Sequence, residues 1–330
     1  MEDLKAFQKM VLSLPRIEPE EGESLEYHHK GIRVSKGVPK EVYTQLESFE
    51  VRNDDVFLVT YPKAGTTWMQ QIISLLVEGL ESRLHKELHV FFRFPFLENT
   101  WISHHSQVGL IPPTHTLLER MSRTSPRLIK THLPPALLPR ALREASRPKV
   151  VYVARNPKDV AVSYYHMHQY DTTLQTYPNW SSFLERFMRK DVCGGDWFEH
   201  NLFWWERRFD PNVLFVKYED MQKDVRKVIV ETAEFLGRPH TAEIVEGIVE
   251  RTTFGRMKRD PLVNPDMVLE FGSDDEVVHR PAPADTTQSF MRKGQVGDWK
   301  NQMTVAQNER FDALYREQMA NSDLTFDFEL

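Results

Sequence analysis

Four short stretches of this chain carry residue types suited to gripping an anion and moving a proton beside it. The first is Tyr61-Pro62-Lys63-Ala64-Gly65-Thr66-Thr67-Trp68, set between an apolar run, Val56 to Thr60, and an amphipathic one, Met69 to Val77. Strand, tight loop and helix in that order leave first-turn N–H groups unpaired where the helix dipole favours negative charge. A lysine beside a small-residue turn there fits a phosphate or sulfate. It is not a Walker loop, whose lysine directly follows the last glycine and is followed by Ser or Thr; Lys63 instead precedes Gly65.

The second stretch is Arg155-Asn156-Pro157-Lys158-Asp159-Val160-Ala161-Val162-Ser163. Pro157 suits the first turn of a helix, and Arg155 stands at a strand end where its fork of donors can grip a phosphate. Taken alone, Arg155 pairs with Asp159 and Ser163 is a helix-surface hydroxyl just as readily. Two anion-suited junctions in one sheet favour a ligand with phosphates at both ends. In the third stretch, Lys130-Thr131-His132, Lys130 and His132 share one face of an extended chain. A lone histidine is usually structural. One beside a lysine, at a strand end facing two anion cradles, is placed to take a proton from a nucleophile attacking a transferred anionic group. The fourth stretch, Phe290-Met291-Arg292-Lys293-Gly294-Gln295-Val296-Gly297-Asp298-Trp299-Lys300, is by itself a solvated basic turn. Beside the other three it becomes a clamp for a terminal phosphate, built from Arg292, Lys293 and the Gly294 amide.

Among the aromatics, Trp68 follows the cradle directly and is placed to stack on a planar base. The tract Phe91–Phe96, which includes Phe94, reads equally as core or as the wall of an apolar acceptor pocket. Asp171 closes the helix carrying Tyr164, Tyr165 and His168. A solvated helix end is the commoner reading; facing the pocket, its carboxylate would pair with a cationic amine.

The elements that must position these residues are legible as period and length. Short apolar runs at Val56–Thr60, Arg127–Lys130, Lys149–Ala154 and Val213–Val216 read as buried parallel strands. Periodic segments at Met69–Glu81, Lys158–His168, Trp180–Arg189, Phe198–Arg208, Val225–Leu236, Ala242–Glu250 and Val305–Met319 read as helices. Their alternation predicts an α/β fold, a central mostly parallel sheet flanked by helices, with ligands beyond the carboxyl ends of the strands. The stretch Asn264–Gln288, rich in Pro, Asp and Glu, is expected to be a long, mobile loop at the acceptor and cofactor sites. No Gly/Ser linker divides the 330 residues, so one domain is expected, with residues 1–30 as an N-terminal extension.

Composition sets further bounds. The net charge of -6 offers nothing global to nucleic acid, so an anion site must be built locally. The single cysteine, Cys193, excludes an internal disulfide and a multi-cysteine zinc site. The stretch Asn99 to Leu118 lacks Asp, Glu, Lys and Arg but is broken by His104, His105, Pro112, Pro113 and His115, so no membrane span is expected. Met1-Glu2-Asp3-Leu4-Lys5 opens with acids and no long apolar core, which makes the cytosol the expected location.

Taken together and in order, the four stretches resemble the cytosolic sulfotransferases, from about Gly31 to Leu330. The ending Thr304-Val305-Ala306-Gln307-Asn308-Glu309-Arg310-Phe311-Asp312 is similar to the branch acting on phenols and aryl amines. The resemblance implies a donor, 3′-phosphoadenosine 5′-phosphosulfate, whose product is the 3′,5′-bisphosphate, and no metal. Its 5′-phosphosulfate would fall to Lys63, Ala64, Gly65, Thr66 and Thr67, with Trp68 against the adenine. Arg155, Ser163, Arg292, Lys293 and Gly294 would take the 3′-phosphate. Tyr218, Thr252, Phe254, Phe290 and Met291 complete the implied nucleotide set. The implied catalytic group is His132 as base with Lys63, Lys130 and Ser163, and the implied substrate pocket includes Phe94, Tyr164, Tyr165 and Asp171. Lys300, Thr304, Val305 and Glu309 fit the family's dimer motif, so a homodimer is implied. Ala64 stands where serine is common, Pro157 replaces a small residue of many relatives, and Asp274-Asp275-Glu276 lies in a lengthened loop.

The expected reaction is in-line transfer of the sulfuryl group to a hydroxyl or amine of a small, phenolic acceptor. A steroid or alcohol sulfotransferase is the alternative within the family. A nucleotide kinase-like phosphotransferase would need a Walker loop and magnesium ligands, neither of which the sequence offers. A non-catalytic nucleotide-binding protein would have no use for Lys63 together with His132.

Overall fold

In the computed structural model the description covers residues 5–6, 9, 16–17, 25–104, 107–110, 113–121, 126–144, 148–171, 173–264, 266, 268–271, 277–280 and 289–330. At its centre is a parallel four-stranded sheet in the order Leu128–Thr131, Val56–Thr60, Lys149–Ala154, Val213–Lys217. The register pairs Val59 with Thr131 and Tyr152, and Ala154 with Lys217, so all four strands end at the same edge.

Each central strand is apolar on both sides because helices cover both faces, and alternate residues feed two cores. Val56, Leu58, Val151 and Val153 pack with Met69, Ile72, Ile73 and Leu76 of the helix Thr66–Glu78 and with Val228, Ile229 and Ala233 of the helix Val225–Leu236. Phe57, Val59, Val150, Tyr152 and Ala154 face the opposite way, into an aromatic core with Tyr164, Phe183, Phe187, Trp197, Trp204 and Phe311. That second core takes its aromatics from the helices Pro157–Tyr170, Trp180–Met188, Trp197–Glu206 and Val305–Gln318.

The expected helices all form, with ends shifted by a few residues. The helix after the cradle begins at Thr66, before the apolar period starts at Met69. Pro157 occupies the first turn of its helix, and Asn156 caps it by accepting from the Asp159 N–H at 2.9 Å. Two expectations need correction. The stretch 264–288 is not wholly loop: Val268–Phe271 pairs antiparallel with Val277–Arg280, an exchange of backbone hydrogen bonds between two four-residue runs that each open on valine. Asp274, Asp275 and Glu276 lie outside the described residues. The sheet is also accompanied by a hairpin, Glu26–His29 with Ile32–Ser35, inside what was expected to be the extension and just beyond it. Among the described residues no helix is long and apolar enough to cross a membrane.

Candidate functional site

The chemistry-bearing residues gather where the four strands end. The cradle turns tightly there: the Ala64 N–H donates to the Tyr61 carbonyl, and Lys63 and Gly65 both have positive φ, 68° and 110°. Gly65 is required twice over. Its backbone is left-handed, and a Cβ added to it would come 2.7 Å from the Tyr218 ring. As the N-cap of the helix Thr66–Glu78 it offers no side chain, so the first-turn N–H groups of Thr66, Thr67 and Trp68 receive no side-chain cap. Ala64 and Thr66 are buried, the latter's hydroxyl 2.7 Å from that of Thr60, and Thr67 is half-buried.

His132 leaves the end of its strand half-buried beside this turn. Its Nδ1 is 2.8 Å from the Thr60 carbonyl and 3.0 Å from the Thr60 hydroxyl. A carbonyl can only accept, so Nδ1 carries the proton and Nε2 keeps the lone pair. Burial, then the Lys130 charge, push the imidazole down to about 3, so the ring is neutral across the physiological range. The backbone N–H of His132 donates to Glu98 Oε1 at 2.8 Å. Burial raises the Glu98 carboxyl to about 7 against hydrogen bonds from His132 and Thr131.

The two lysines differ in their surroundings. Lys63 sits with its ammonium 3.8 Å from the centre of the Phe290 ring and 3.4 Å from the Phe290 carbonyl. Burial, then the charge of Arg155, lower it to about 7; Arg292 adds to this, while Asp266 and Asp171 oppose it. Lys130 lies 4.6 Å from the Phe96 ring centre and 5.7 Å from that of Phe91, and burial lowers it to about 8 against the Glu98 charge. Phe96 also meets His132 edge-on at 5.0 Å. Two rings of the Phe91–Phe96 tract therefore do wall the histidine and lysine.

Phe94 does not join them. Val90–Arg93 is a helical turn rather than extended chain, which points Phe94 into the core with Leu58 and Met69, fully buried. Tyr164 is likewise 2% exposed, its hydroxyl donating to the Cys193 carbonyl at 2.9 Å. Tyr165 is half-buried against Trp180 and Phe183. Asp171 is half-buried at the C-cap of its helix, where Oδ1 accepts from the Thr173 N–H at 2.9 Å and the Thr173 hydroxyl at 2.6 Å. Its charge is nonetheless felt at Lys63.

Arg155 is buried at its strand end, donating to the Gln295 carbonyl at 2.8 Å and the Lys63 carbonyl at 3.4 Å, with its guanidinium 4.3 Å from the Tyr218 ring centre. Asp159 stands 3.7 Å away, the modest ion pair anticipated from the sequence. Arg292 and Lys293 both pair with Asp298. Burial works against ionisation of that carboxyl, but hydrogen bonds from Lys293, Asn301 and Arg292 prevail and hold it at about 2. Gly294, at φ 66°, would drive an added Cβ to 2.4 Å from the Phe254 ring. Ser163, Lys63, Phe290 and Arg292 line one small cleft with His166, Met167 and Ser289.

Trp68 is half-buried and edge-on to Tyr218 at 5.7 Å, and packs with Phe254, Phe290 and the buried Met291. Thr252 is buried, its hydroxyl donating to the Ile248 carbonyl at 2.8 Å. Glu98, His166 and Asp298 were not anticipated as site residues. His166 follows Ser163 by three, a spacing that puts both on one helix face and could have revealed it. Glu98 has only the weaker signal of an isolated acid after an aromatic run.

Unpartnered buried donors gather at this edge. Arg155 Nε, Arg292 Nε and Trp68 Nε1 are buried with no hydrogen-bond partner, around a turn whose helix N–H groups are also uncapped. Two cationic forks and an aromatic N–H with unmet donors fit a polyanionic ligand carrying a planar base. The family model described as "Sulfotransferase domain" matches residues 53–323, which span all four strands and all four motifs. This chain belongs to the sulfotransferase family. It is 40% identical to sulfotransferase 1A1 of Bos taurus over 301 residues, covering 89% of this chain and 95% of that one. It is 41% identical to sulfotransferase 1E1 of Bos taurus over 286 residues, covering 87% and 90%. Mouse sulfotransferase SULT7A1, solved in complex with PAP, is 34% identical, with a TM-score of 0.69 over 91% of this chain and 96% of that one. Retinol dehydratase, at 23% identity and a TM-score of 0.75, shares the fold. The near-equal identities to 1A1 and 1E1 do not separate the branches of this sulfotransferase family.

Proposed function

We propose that this chain transfers the sulfuryl group of 3′-phosphoadenosine 5′-phosphosulfate to the hydroxyl of a small phenolic acceptor. The observation that carries the reading is the His132 tautomer: Nδ1–H is committed to the Thr60 carbonyl, leaving the Nε2 lone pair as the proton acceptor at an edge with two lysines. The mouse relative's complex with PAP supports the nucleotide assignment. When bound, the donor supplies an activated sulfuryl group with a 3′,5′-bisphosphate as the leaving group.

The chain's own residues would do the rest. Lys63, Gly65, Thr66 and Thr67, with Ala64 fixing the turn, take the 5′ end; Arg155, Ser163, Arg292, Lys293 and Gly294 take the 3′-phosphate. Trp68, Tyr218 and Phe254 border the adenine, with Thr252, Phe290 and Met291 supporting them. His132 Nε2 accepts the acceptor's hydroxyl proton during attack. The Lys63 and Lys130 ammoniums neutralise charge gathering on the departing and nonbridging oxygens. Phe91 and Phe96 give the acceptor an apolar, aromatic wall beside the base, which favours a flat phenol. The residues of the Lys300–Glu309 segment leave Val305 76% exposed at the start of a helix, an apolar side chain available to a second copy in a homodimer. The deciding experiment is a screen of phenols, aryl amines, steroids and aliphatic alcohols with the sulfate donor and metal chelated. Sulfated phenol is the expected dominant product; transfer only to steroids would reassign the acceptor, and no transfer to any class would remove the activity.

A further inference from the structure

We propose that the segment Thr325–Glu329 is a strap that sets the position of the 3′-phosphate loop, with Trp299 as the positioning residue between them. The inference rests on the nucleotide reading above and names a part of the chain that reading does not use.

The loop Phe290–Trp299 is held from two sides. On the sheet side, the Gly297 and Trp299 N–H groups donate to the two oxygens of Asp159 at 2.9 and 3.0 Å, and Arg155 donates to the Gln295 carbonyl. On the far side, Trp299 Nε1 donates to the Phe328 carbonyl at 2.9 Å. Gly297, at φ 90°, turns so closely under the strap that an added Cβ would stand 3.5 Å from the same carbonyl. Between Gly297 and Trp299 lies Asp298, 7% exposed, which pairs with both Arg292 and Lys293. Wherever residues 297 and 299 are pinned, the Asp298 carboxylate follows, and with it the two cations assigned to the phosphate.

The strap itself is anchored along its length. Phe326 is 9% exposed and packs on Trp197 at 5.3 Å, and Phe328 meets Tyr315 edge-on at 5.4 Å. The Asp327 carbonyl accepts from Asn156, the cap of the Arg155 helix, at 3.4 Å, and its carboxylate pairs with Lys223 at 2.6 Å. Glu329 pairs with Lys300 at 2.6 Å. The Lys158 ammonium lies over both aromatic rings of the joint, 4.3 Å from Trp299 and 4.9 Å from Phe328. The strap's own contacts fall on Gly297, Trp299, Lys300, Asn156 and Lys223, at the Asp298 end of the loop, while Phe290 at its other end is the part that meets Lys63, so the strap bears chiefly on the 3′-phosphate cations.

Trp299→Phe in the full chain keeps the ring under Lys158 and removes the N–H that ties loop to strap. By calorimetry, its affinity for adenosine 3′,5′-bisphosphate should fall about tenfold, the effect of losing the one hydrogen bond that ties loop to strap, while affinity for adenosine 5′-monophosphate stays within about twofold of wild type. A chain stopped after Asp327 should show the same selective loss, larger, and thermal melting of both variants reports whether they fold. Should the shortened chain not fold, Trp299→Phe decides alone. Equal losses for the two nucleotides, or no loss for either, would overturn the strap. A wild-type protein that fails to prefer the bisphosphate would instead strike the nucleotide reading beneath it.

Discussion

Binding of adenosine 3′,5′-bisphosphate should draw protons out of solution at mildly alkaline pH, and most of them should go to Lys63. In the free protein burial lowers Lys63 to about 7, with Arg155 and Arg292 adding to the shift against Asp266 and Asp171. Burial lowers Lys130 to about 8 against Glu98. A bound polyanion favours the charged form of both. At pH 8 a lysine at about 7 is about one-tenth protonated and one at about 8 about half, so full recharging takes up ~0.9 and ~0.5 proton, ~1.4 in all; at pH 6 the sum is only ~0.1. Glu98, raised by burial to about 7, can only add to this uptake, because a nearby anion pushes a carboxyl further up. His132, at about 3, stays neutral in both states. The sign follows: the lysines of the complex hold more protons than those of the free protein, so near pH 8, where the ligand's phosphates with their second pKa of about 6 are already dianionic, affinity falls by roughly 1.4 decades per unit. Titration calorimetry in buffers of different ionisation enthalpy reads the uptake directly. Lys63→Met should remove ~0.9 proton at pH 8. Uptake near zero in the wild type at pH 8, or unchanged in Lys63→Met, would refute the depressed lysine and the site electrostatics built on it.

Three further outcomes are expected. His132→Ala should cut turnover by roughly a hundredfold or more while bisphosphate affinity holds, and steady-state rates near wild type would dismiss His132 as the base. Gly294→Ala should weaken bisphosphate binding by about tenfold or more without changing circular dichroism, since its Cβ meets the Phe254 ring at 2.4 Å from a backbone at φ 66°; normal binding would place the loop elsewhere. Asp171→Ala should lower kcat/KM for a dopamine-like phenol by about tenfold relative to a neutral phenol, given a half-buried carboxylate able to pair with the amine; an unaltered ratio would confine Asp171 to its turn with Thr173.

The central strands were legible because burial on both faces leaves no charged position in runs such as Val56-Phe57-Leu58-Val59-Thr60. The long helices were legible for the opposite reason, their polar faces marking the 3.6-residue period. Helix starts were not, since Thr66, Thr67 and Trp68 belong to the first turn of their helix without joining its apolar stripe. The hairpin Glu26–His29 and Ile32–Ser35 escaped because four residues with two histidines and a glutamate carry no period at all. The Phe91–Phe96 tract, equally core or pocket wall by sequence, divides between the two, with Phe94 in the core. One helical turn within it sends Phe91 and Phe96 towards Lys130 and Phe94 into the core.

What the sequence withholds about the site is of a different kind. Lys63, Lys130, His132 and Arg155 declare themselves by type and by standing at strand ends. The property that suits His132 to the proposed role of base is its tautomer, and that is fixed by a backbone carbonyl of another strand. The carbonyl is in place because Leu58 pairs with Lys130 and Val59 with Thr131, so the next residue along each strand, Thr60 and His132, come together. A slip of one residue between these two parallel strands would keep every apolar run intact yet turn alternate side chains to the wrong face, removing the acceptor from Nδ1. Register is set by how Phe57, Val59 and Ile129 interlock in one core while Val56, Leu58 and Leu128 do so in the other, a property of packing in three dimensions. The tautomer on which the proposed base depends is therefore encoded less in the residue itself than in the two hydrophobic cores that hold the strands in step.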